Sequence, residues 1–178
     1  MAFSTSLEGD LTTLRPWRRG EGAQLHRIWR DLQVIFWGAN PDLAASERQL
    51  ERILEADRRL PSGQGWVAIV EKATGEVVGT AVLKPAPFSA GELEVGYHLA
   101  RVAWGRGLAS DALRTLVAHA RNSLARERLV AAVLPSNLRS VMVLRRAGFG
   151  LSGEVLHAGL THSLYTLGLT ARRPAPRC

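Results

Sequence analysis

The spacing of apolar positions predicts a chain that mixes helices and strands. Apolar residues recur every three to four positions in four stretches, which we expect to be helices: 22–32, 44–60, 109–120 and 137–146. Short apolar or alternating runs predict seven strands: 11–15, 66–71, 77–83, 93–99, 129–134, 154–156 and 163–169. A turn at 73–76, which contains Gly75, makes the second and third of these strands an antiparallel hairpin.

This order of elements predicts a single α/β (α+β) domain. We expect a mixed, largely antiparallel sheet with helices on its faces, built from residues 11–170. Residues 1–10 are expected to be a flexible N-terminus. The basic segment 171–178 is expected to be disordered, because its prolines and charges cannot build a core.

Composition narrows the class of protein. The chain has 178 residues, 46% of them hydrophobic, and no apolar run approaches the roughly 20 residues of a membrane span. The start has no basic and apolar leader, so we expect a cytoplasmic protein. Cys178 is the only cysteine, which excludes a disulfide framework and leaves no candidate cysteine nucleophile.

The charge balance favours acidic partners. Twenty-three basic against sixteen acidic residues give a net charge of +7. Such a surface attracts nucleic acid, a ribosomal surface or a polyphosphate cofactor. The basic residues are spread along the chain rather than grouped, so nucleic-acid binding is the less favoured of these interpretations.

Two glycines precede the third predicted helix. Gly105 and Gly107 flank Arg106, and they free several backbone N–H groups at the positive end of the helix dipole. That arrangement is typical of an anion site, to which Arg106 would add a fixed cation. A simple tight turn is the alternative. The third glycine of a dinucleotide fingerprint and the Gly-Lys-Ser/Thr of a P-loop are both absent.

Two motifs resemble the GNAT acyltransferase superfamily. Trp104-Gly105-Arg106-Gly107-Leu108-Ala109 is similar to the form in its ribosomal-protein N-terminal acetyltransferase (RimJ/RimL-like) branch. The segment 135–149, with Asn-x-x-Ser at its start and Gly-Phe at its end, is similar to the helix that follows in the family. The similarity covers most of 11–170. The general motif has Gln or Arg three residues before the second glycine, where this chain has Trp104.

The resemblance implies an acetyl-CoA-dependent N-acetyltransferase, with acetyl-CoA as co-substrate. It implies that the glycine loop holds the pyrophosphate, that Asn137 contacts the pantetheine arm and that Ser140 lies near the thioester. The expected cofactor contacts are Leu99, Arg101, Trp104, Gly105, Arg106, Gly107, Leu108, Ala109 and Asn137.

Transfer to an amine requires the neutral amine. An α-amine with a pKa of about 7.7–8.0 is much more often neutral at pH 7 than a lysine with a pKa of about 10.4. Glu94 is the candidate base, since it shares a strand face with Gly96 and His98. A merely solvated Glu94, His98 as the base and water as the base stay open. Ser140 is the candidate for protonating the leaving thiolate.

The acceptor is less defined by the sequence. Trp29, Phe36, Trp37 and His162 are expected near the acceptor amine, although aromatic residues at such positions are often core. We expect a protein or peptide α-amine as acceptor. A small-molecule amine such as an antibiotic, and a non-catalytic CoA-binding or regulatory module, are the alternatives. The histidines lack metal-ligand spacing, so no metal is expected. A homodimer is left open.

Overall fold

The elements of the chain form one mixed sheet with helices on both faces, in a computed structural model that describes residues 3–31, 42–124 and 126–169. Within these ranges the strands are β1 (Leu7–Glu8), β2 (Thr12–Pro16), β3 (Gly65–Glu71), β4 (Val77–Pro85), β5 (Leu93–Leu99), β6 (Arg128–Val133), β7 (Gly150–His157) and β8 (Leu160–Gly168). The helices are α1 (Gly22–Trp29), α2 (Leu43–Asp57), α3 (Leu108–Ser123) and α4 (Leu138–Arg146).

The sheet runs in the order β1-β2-β3-β4-β5-β6-β8-β7. Every neighbouring pair is antiparallel except β5 and β6, which are parallel. The predicted class, a single-domain mixed and largely antiparallel sheet flanked by helices, is confirmed. The predicted β3–β4 hairpin is confirmed as well, with Trp66 opposite Val82.

Each face of the sheet covers its own apolar cluster. On one face α3 and α4 pack over the strands, and Leu113, Leu116 and Leu144 are almost fully buried there. On the other face α1 and α2 form a smaller cluster that includes Leu25 and Leu50. Because side chains alternate along a strand, β5 contributes to both faces.

Several boundaries differ from the predicted ones. α2 starts at Leu43 because Asp42 caps it: its Oδ1 accepts from the Ala45 amide at 2.6 Å. The prediction that this helix extends to residue 60 was wrong, since it ends at Asp57. The seventh strand was predicted as 154–156 but spans Gly150–His157. An irregularity between Leu151 and Gly153 breaks its alternation, so the pattern concealed its first half.

The segment before residue 11 contains an element that the pattern did not predict. β1 pairs with β2, with Leu7 opposite Leu14. Phe3, 7% exposed, packs in the cluster under α3 and lies against the His119 ring. A two-residue strand is too short to produce a recognisable alternation.

A buried carboxylate attaches α3 to the β1–β2 turn. Asp111, in the first turn of α3, accepts from the backbone amides of Asp10, Leu11 and Thr12 and from the Thr12 hydroxyl, at 2.7–3.1 Å. Burial acts to raise the pKa of Asp111, but these hydrogen bonds outweigh it and hold the pKa below its ordinary value. The start of α3 is therefore fixed relative to the sheet. In the described ranges no helix is long and apolar enough to cross a membrane.

Candidate active site

The central strands of the sheet separate. β5 and β6 are in register only at Leu93–Leu129 and Glu94–Val130, although both continue for several residues beyond. Since the strands are parallel, their carboxyl ends point to the same edge of the sheet, where α3 and α4 begin. The gap therefore opens towards two helix N-termini.

Backbone groups of β5 face this gap. The Ala100 amide donates to the Val78 carbonyl of β4 at 2.9 Å. Backbone polar groups alternate in direction along a strand, so those of Val95 and Tyr97 are directed away from β4, towards the gap. The Leu99 carbonyl, on the same side, accepts from the Trp104 indole Nε1 at 2.9 Å. An extended ligand with amide groups could pair with Val95 and Tyr97.

The glycine loop begins α3 at the open end of the gap. Gly105 and Gly107 have φ values of 76° and 78°, in the left-handed region that favours glycine. Gly107 is the N-cap of α3, and none of the side chains that the structure describes caps the helix there. A Cβ on Gly105 would meet no atom of the neighbouring described residues within 4 Å, so the space beside this part of the loop is open. Free amides beside open space at a helix N-terminus fit a phosphate group.

Arginines surround the loop, but they are not equally available. Arg106, between the glycines, forms an ion pair with Glu71, whose side chain is buried. Arg139, in the first turn of α4, lies over the Trp104 ring, with its guanidinium carbon 4.8 Å from the ring centre. Arg101 is exposed in a 3₁₀ turn, 101–103, that precedes the loop. The cationic surroundings predicted from Arg106 therefore include Arg139, which the sequence analysis did not single out.

Four other predicted cofactor contacts lie at the same junction. Trp104 is partly buried and packs against the clusters on both faces of the sheet. Leu108 is buried and Ala109 partly buried in the first turn of α3. Asn137 is the N-cap of α4, and its Oδ1 accepts from the Ser140 amide at 3.2 Å. The structure thus brings the predicted contacts from β5, α3 and α4 to one edge of the sheet.

Ser140 is held from two sides. Besides the cap on its amide, its Oγ lies 3.0 Å from the Tyr97 hydroxyl, which also lies 3.3 Å from the Ser140 carbonyl. Burial raises the pKa of Tyr97 to about 12, so its hydroxyl stays protonated. Tyr97 fits the alternation of the apolar residues of β5, and its partner lies 43 residues away along the chain, so the sequence pattern gives no sign of this contact.

Glu94 lies on the opposite face of β5. Its side chain is 14% exposed, and its Oε2 is 3.7 Å from the Lys84 Nζ. That Oε2 accepts no hydrogen bond from any group that the structure describes. A carboxylate oxygen that accepts no hydrogen bond is available to receive a proton from a bound amine.

Aromatic residues cover the same face. Trp29 meets the rings of Trp66 and His98 edge-on, with centroids 5.8 and 6.2 Å away. Trp29 is only 6% exposed and belongs to the cluster under α1 and α2. Burial lowers the pKa of His98 to about 4, which makes it a weak base for a proton taken from an amine. Phe36 and Trp37 lie outside the described residues.

His162 lies in a separate aromatic group. It is buried in β8, and its Nδ1 donates to the Leu160 carbonyl at 3.0 Å. Its ring contacts His157 of β7, which in turn contacts Phe88 from the β4–β5 connection. Within the described ranges, no three His, Cys, Asp or Glu side chains form a group that could hold a metal ion.

The residues between β2 and β7 match a known family. A family model of the acetyltransferase (GNAT) domain covers residues 12–150, from the first residue of β2 to the first residue of β7. The chain belongs to the GNAT acetyltransferase family. The resemblance seen in the two sequence motifs is thereby confirmed.

Individual relatives agree with the family. A Bacillus licheniformis protein called an uncharacterized N-acetyltransferase p20 is 30% identical over 144 residues, 79% of this chain and 80% of that protein. A putative GnaT-family acetyltransferase structure from Bordetella pertussis is 26% identical with a TM-score of 0.75, covering 91% of this chain and 98% of that chain. A ribosomal-protein-S5-alanine acetyltransferase structure from Vibrio fischeri has a TM-score of 0.74 at 18% identity, covering 96% and 100%, and shows the fold.

The enzyme class predicted from the sequence is confirmed for this GNAT protein: it is an acetyl-CoA-dependent N-acetyltransferase. Its residues fit that co-substrate. The open space beside Gly105 and the free amides of α3 suit a pyrophosphate, and the outward-directed backbone of Val95 and Tyr97 suits the amides of pantetheine. When bound, acetyl-CoA supplies an activated acetyl thioester.

Proposed function

We propose that this GNAT enzyme acetylates the α-amine of a protein or peptide, with the acyl group held in the gap between β5 and β6. The observation that supports this proposal most directly is the separation of β5 from β6 below the glycine loop that precedes α3. In this proposal the loop amides bind the pyrophosphate, and Arg139 and Arg101 supply positive charge nearby. Arg106, paired with Glu71, fixes the loop.

In this proposal, the base and the acid of the reaction lie on opposite faces of β5. Glu94 lies on the face covered by α1 and α2, whereas Tyr97 and Ser140 meet on the face covered by α3 and α4. An amine that approaches beside Glu94 would attack an acetyl carbon in the gap, and the thiolate would leave towards Ser140. Glu94 takes the proton that the amine must lose, and Ser140 supplies one to the thiolate. Attack occurs without an enzyme nucleophile.

An α-amine is the acceptor that this chemistry favours. At neutral pH it is neutral in a far larger fraction than a lysine side chain. The net charge of +7 favours approach to an acidic protein surface. The name of the Vibrio fischeri structure, a ribosomal-protein-S5-alanine acetyltransferase, supplies a substrate class to test. Trp29 and Trp66 would border the incoming residue, beside Glu94 and Lys84.

The acceptor class can be tested with matched amines. The purified enzyme is incubated with acetyl-CoA and short peptides that carry a free α-amine, the same peptides with the α-amine blocked and a lysine added, and polyamine antibiotics. We expect acetylation of the free α-amines. Acetylation of the antibiotics alone would replace the proposal with the small-molecule alternative, and no turnover of any amine would favour a non-catalytic module.

Glu94→Gln tests the proposed base. We expect kcat/KM to fall about a hundredfold at pH 7, and the deficit to shrink as pH rises, because the amine then loses its proton without help. Glu92→Gln, which alters another carboxylate of the same segment, paired with Arg128, is the matched control. A deficit that is constant across pH would contradict the assignment of Glu94 as base.

A further inference from the structure

The contact between Tyr97 and Ser140 joins β5 to α4, the helix that follows β6 along the chain. Tyr97 belongs to β5 and Ser140 to the first turn of α4, yet their hydroxyl oxygens are 3.0 Å apart. Tyr97 packs against the cluster under α3 and α4, and its ring is mostly buried. The contact therefore lies between β5 and the first turn of α4, where the thiolate is expected to leave.

The direction of this hydrogen bond decides what the serine can do. A tyrosine hydroxyl has one proton to donate, and a serine hydroxyl also has one. If Tyr97 donates to Ser140 Oγ, the serine proton is left for another acceptor. If Tyr97 instead donates to the Ser140 carbonyl, 3.3 Å away, the serine proton points back at Tyr97.

The geometry favours the first arrangement. The distance to Oγ is the shorter of the two, and the Ser140 carbonyl lies inside α4, where it can accept the helical amide bond. The backbone of Ser140 is fixed independently, because Asn137 accepts from its amide. Tyr97 remains a donor at physiological pH, since burial keeps it protonated. Few degrees of freedom are left to the Ser140 hydroxyl.

We propose that Tyr97 is a positioning residue for the transfer, which acts by donating to Ser140 Oγ so that the Ser140 proton is directed at the departing sulfur. This inference rests on the proposed function. In the step, the amine nitrogen forms the bond to the acetyl carbon, the carbon–sulfur bond breaks, and the thiolate takes the Ser140 proton. Solvent returns that proton to Ser140 after the products leave, and the amine proton is accepted by Glu94.

A double-mutant cycle distinguishes positioning from a structural role. Tyr97→Phe keeps the ring and removes the hydroxyl, and Ser140→Ala removes the group through which Tyr97 acts. We expect Ser140→Ala to lower kcat about a hundredfold and Tyr97→Phe about tenfold, with unchanged affinity for acetyl-CoA by calorimetry. In the Ser140→Ala background, Tyr97→Phe should have no further effect, because the residues act as one unit.

A second readout needs no acceptor amine. The thiol of bound CoA is titrated by the ultraviolet absorbance of its thiolate. A donated proton stabilises the thiolate, so we expect its pKa to be lower in the wild-type complex than in either single variant. Tyr165→Phe, which removes the hydroxyl of another buried tyrosine, is the matched control and should change neither readout.

The outcomes separate the two proposals. Equal losses from Tyr97→Phe in the wild-type and Ser140→Ala backgrounds, an unchanged or higher kcat, or an unchanged thiol pKa would overturn the positioning role. A wild-type enzyme that turns over no amine but shows the thiol effect would overturn the proposed function and support the contact with sulfur. An enzyme that does not bind CoA would overturn both.

Discussion

Backbone conformation at single residues sets the chemistry of the glycine loop. Gly105 and Gly107 were predicted to open an anion site, and both adopt the left-handed conformation. The pattern could predict this because glycines with positive φ are needed wherever amides must be exposed in a tight turn. It could not reveal that Arg106 is paired with Glu71, since β3 is distant in the sequence.

Gly105→Ala should weaken acetyl-CoA binding at least about tenfold. Alanine costs about 1–2 kcal/mol in a left-handed conformation, and its methyl group would project into the open space beside the loop. Gly75→Ala is the matched control, because Gly75 has a φ of 72° and equally open surroundings, but lies in the β3–β4 turn. Calorimetry should show weaker binding only for Gly105→Ala. Equal affinity of the two variants for acetyl-CoA would contradict the proposal that the glycine loop binds the pyrophosphate.

The sequence pattern did not identify residues whose partners are distant along the chain. Tyr97 fits the apolar alternation of β5, so its pattern indicates a core residue. Its hydroxyl has Ser140 as a partner only because the fold brings α4 beside β5. Asn137 illustrates the reverse case: a helix cap and a ligand contact have the same sequence pattern, and its side-chain oxygen caps α4.

At the scale of elements, the predicted boundaries were most accurate where apolar and polar residues alternate without interruption. β5 was predicted with its observed boundaries, Leu93–Leu99, because its alternation is uninterrupted. β7 was predicted too short because its register shifts. The separation of β5 from β6 has no local signal, since the pairing of two strands that are distant along the chain cannot be read from the pattern of either one.

Asp111→Asn should destabilise the attachment of α3 to the β1–β2 turn. An amide would direct N–H groups towards backbone donors that now meet a carboxylate, and we expect a loss of about 2–4 kcal/mol in the free energy of unfolding. The folded-state pKa of Asp111 lies below its ordinary value. Its contribution is therefore present above that value and is lost as pH falls through the folded pKa.

Urea unfolding at pH 7 and below pH 3.8, the ordinary pKa of an Asp side chain, measures this contribution, which should be smaller at the lower pH. The control is Asp10→Asn, whose side chain is 90% exposed and 3.8 Å from Arg114, and which should change stability by less than about 0.5 kcal/mol. Similar stabilities of the two variants would show that the buried carboxylate does not fix the helix.

At the scale of the whole molecule, two buried groups give opposing pH dependences. Burial lowers the pKa of His98 from 6.5 to about 4, so its contribution to stability is lost as pH falls through that range. Burial raises the pKa of Asp57, which accepts from the Trp66 amide, from 3.8 to about 6. Its contribution is present at low pH and is lost as pH rises towards 6. Between pH 4 and 6, therefore, His98 makes the free energy of unfolding rise with pH, whereas Asp57 makes it fall.

Asp57→Asn should reveal the pH dependence of stability that is due to His98 alone. In this variant the free energy of unfolding should rise with pH between 4 and 6 more steeply than in the wild type, by up to about 1.4 kcal/mol per pH unit. Chemical unfolding at half-unit pH steps measures the slope. An identical pH dependence in both proteins would show that the pKa of Asp57 is not raised in the folded state.

The family and fold could be predicted from the sequence, whereas the acceptor could not. Two short motifs, each tied to a helix N-terminus, were enough to indicate the GNAT fold. In the proposal, the acceptor meets side chains contributed by α1, β3, β4 and β5, of which Trp66 and Lys84 were not singled out from the sequence. Their proximity follows from sheet register, which the pattern of a single chain does not fix.

Calorimetric titration with acetyl-CoA tests the central claim most directly. Gly107→Glu places a carboxylate at the N-terminus of α3, and Gly75→Glu places one at a turn glycine of similar φ. We predict micromolar binding to the wild type and to Gly75→Glu, and none to a folded Gly107→Glu. No binding to the wild type, or equal binding to Gly107→Glu, would show that the glycine loop is a turn and not the acetyl-CoA site.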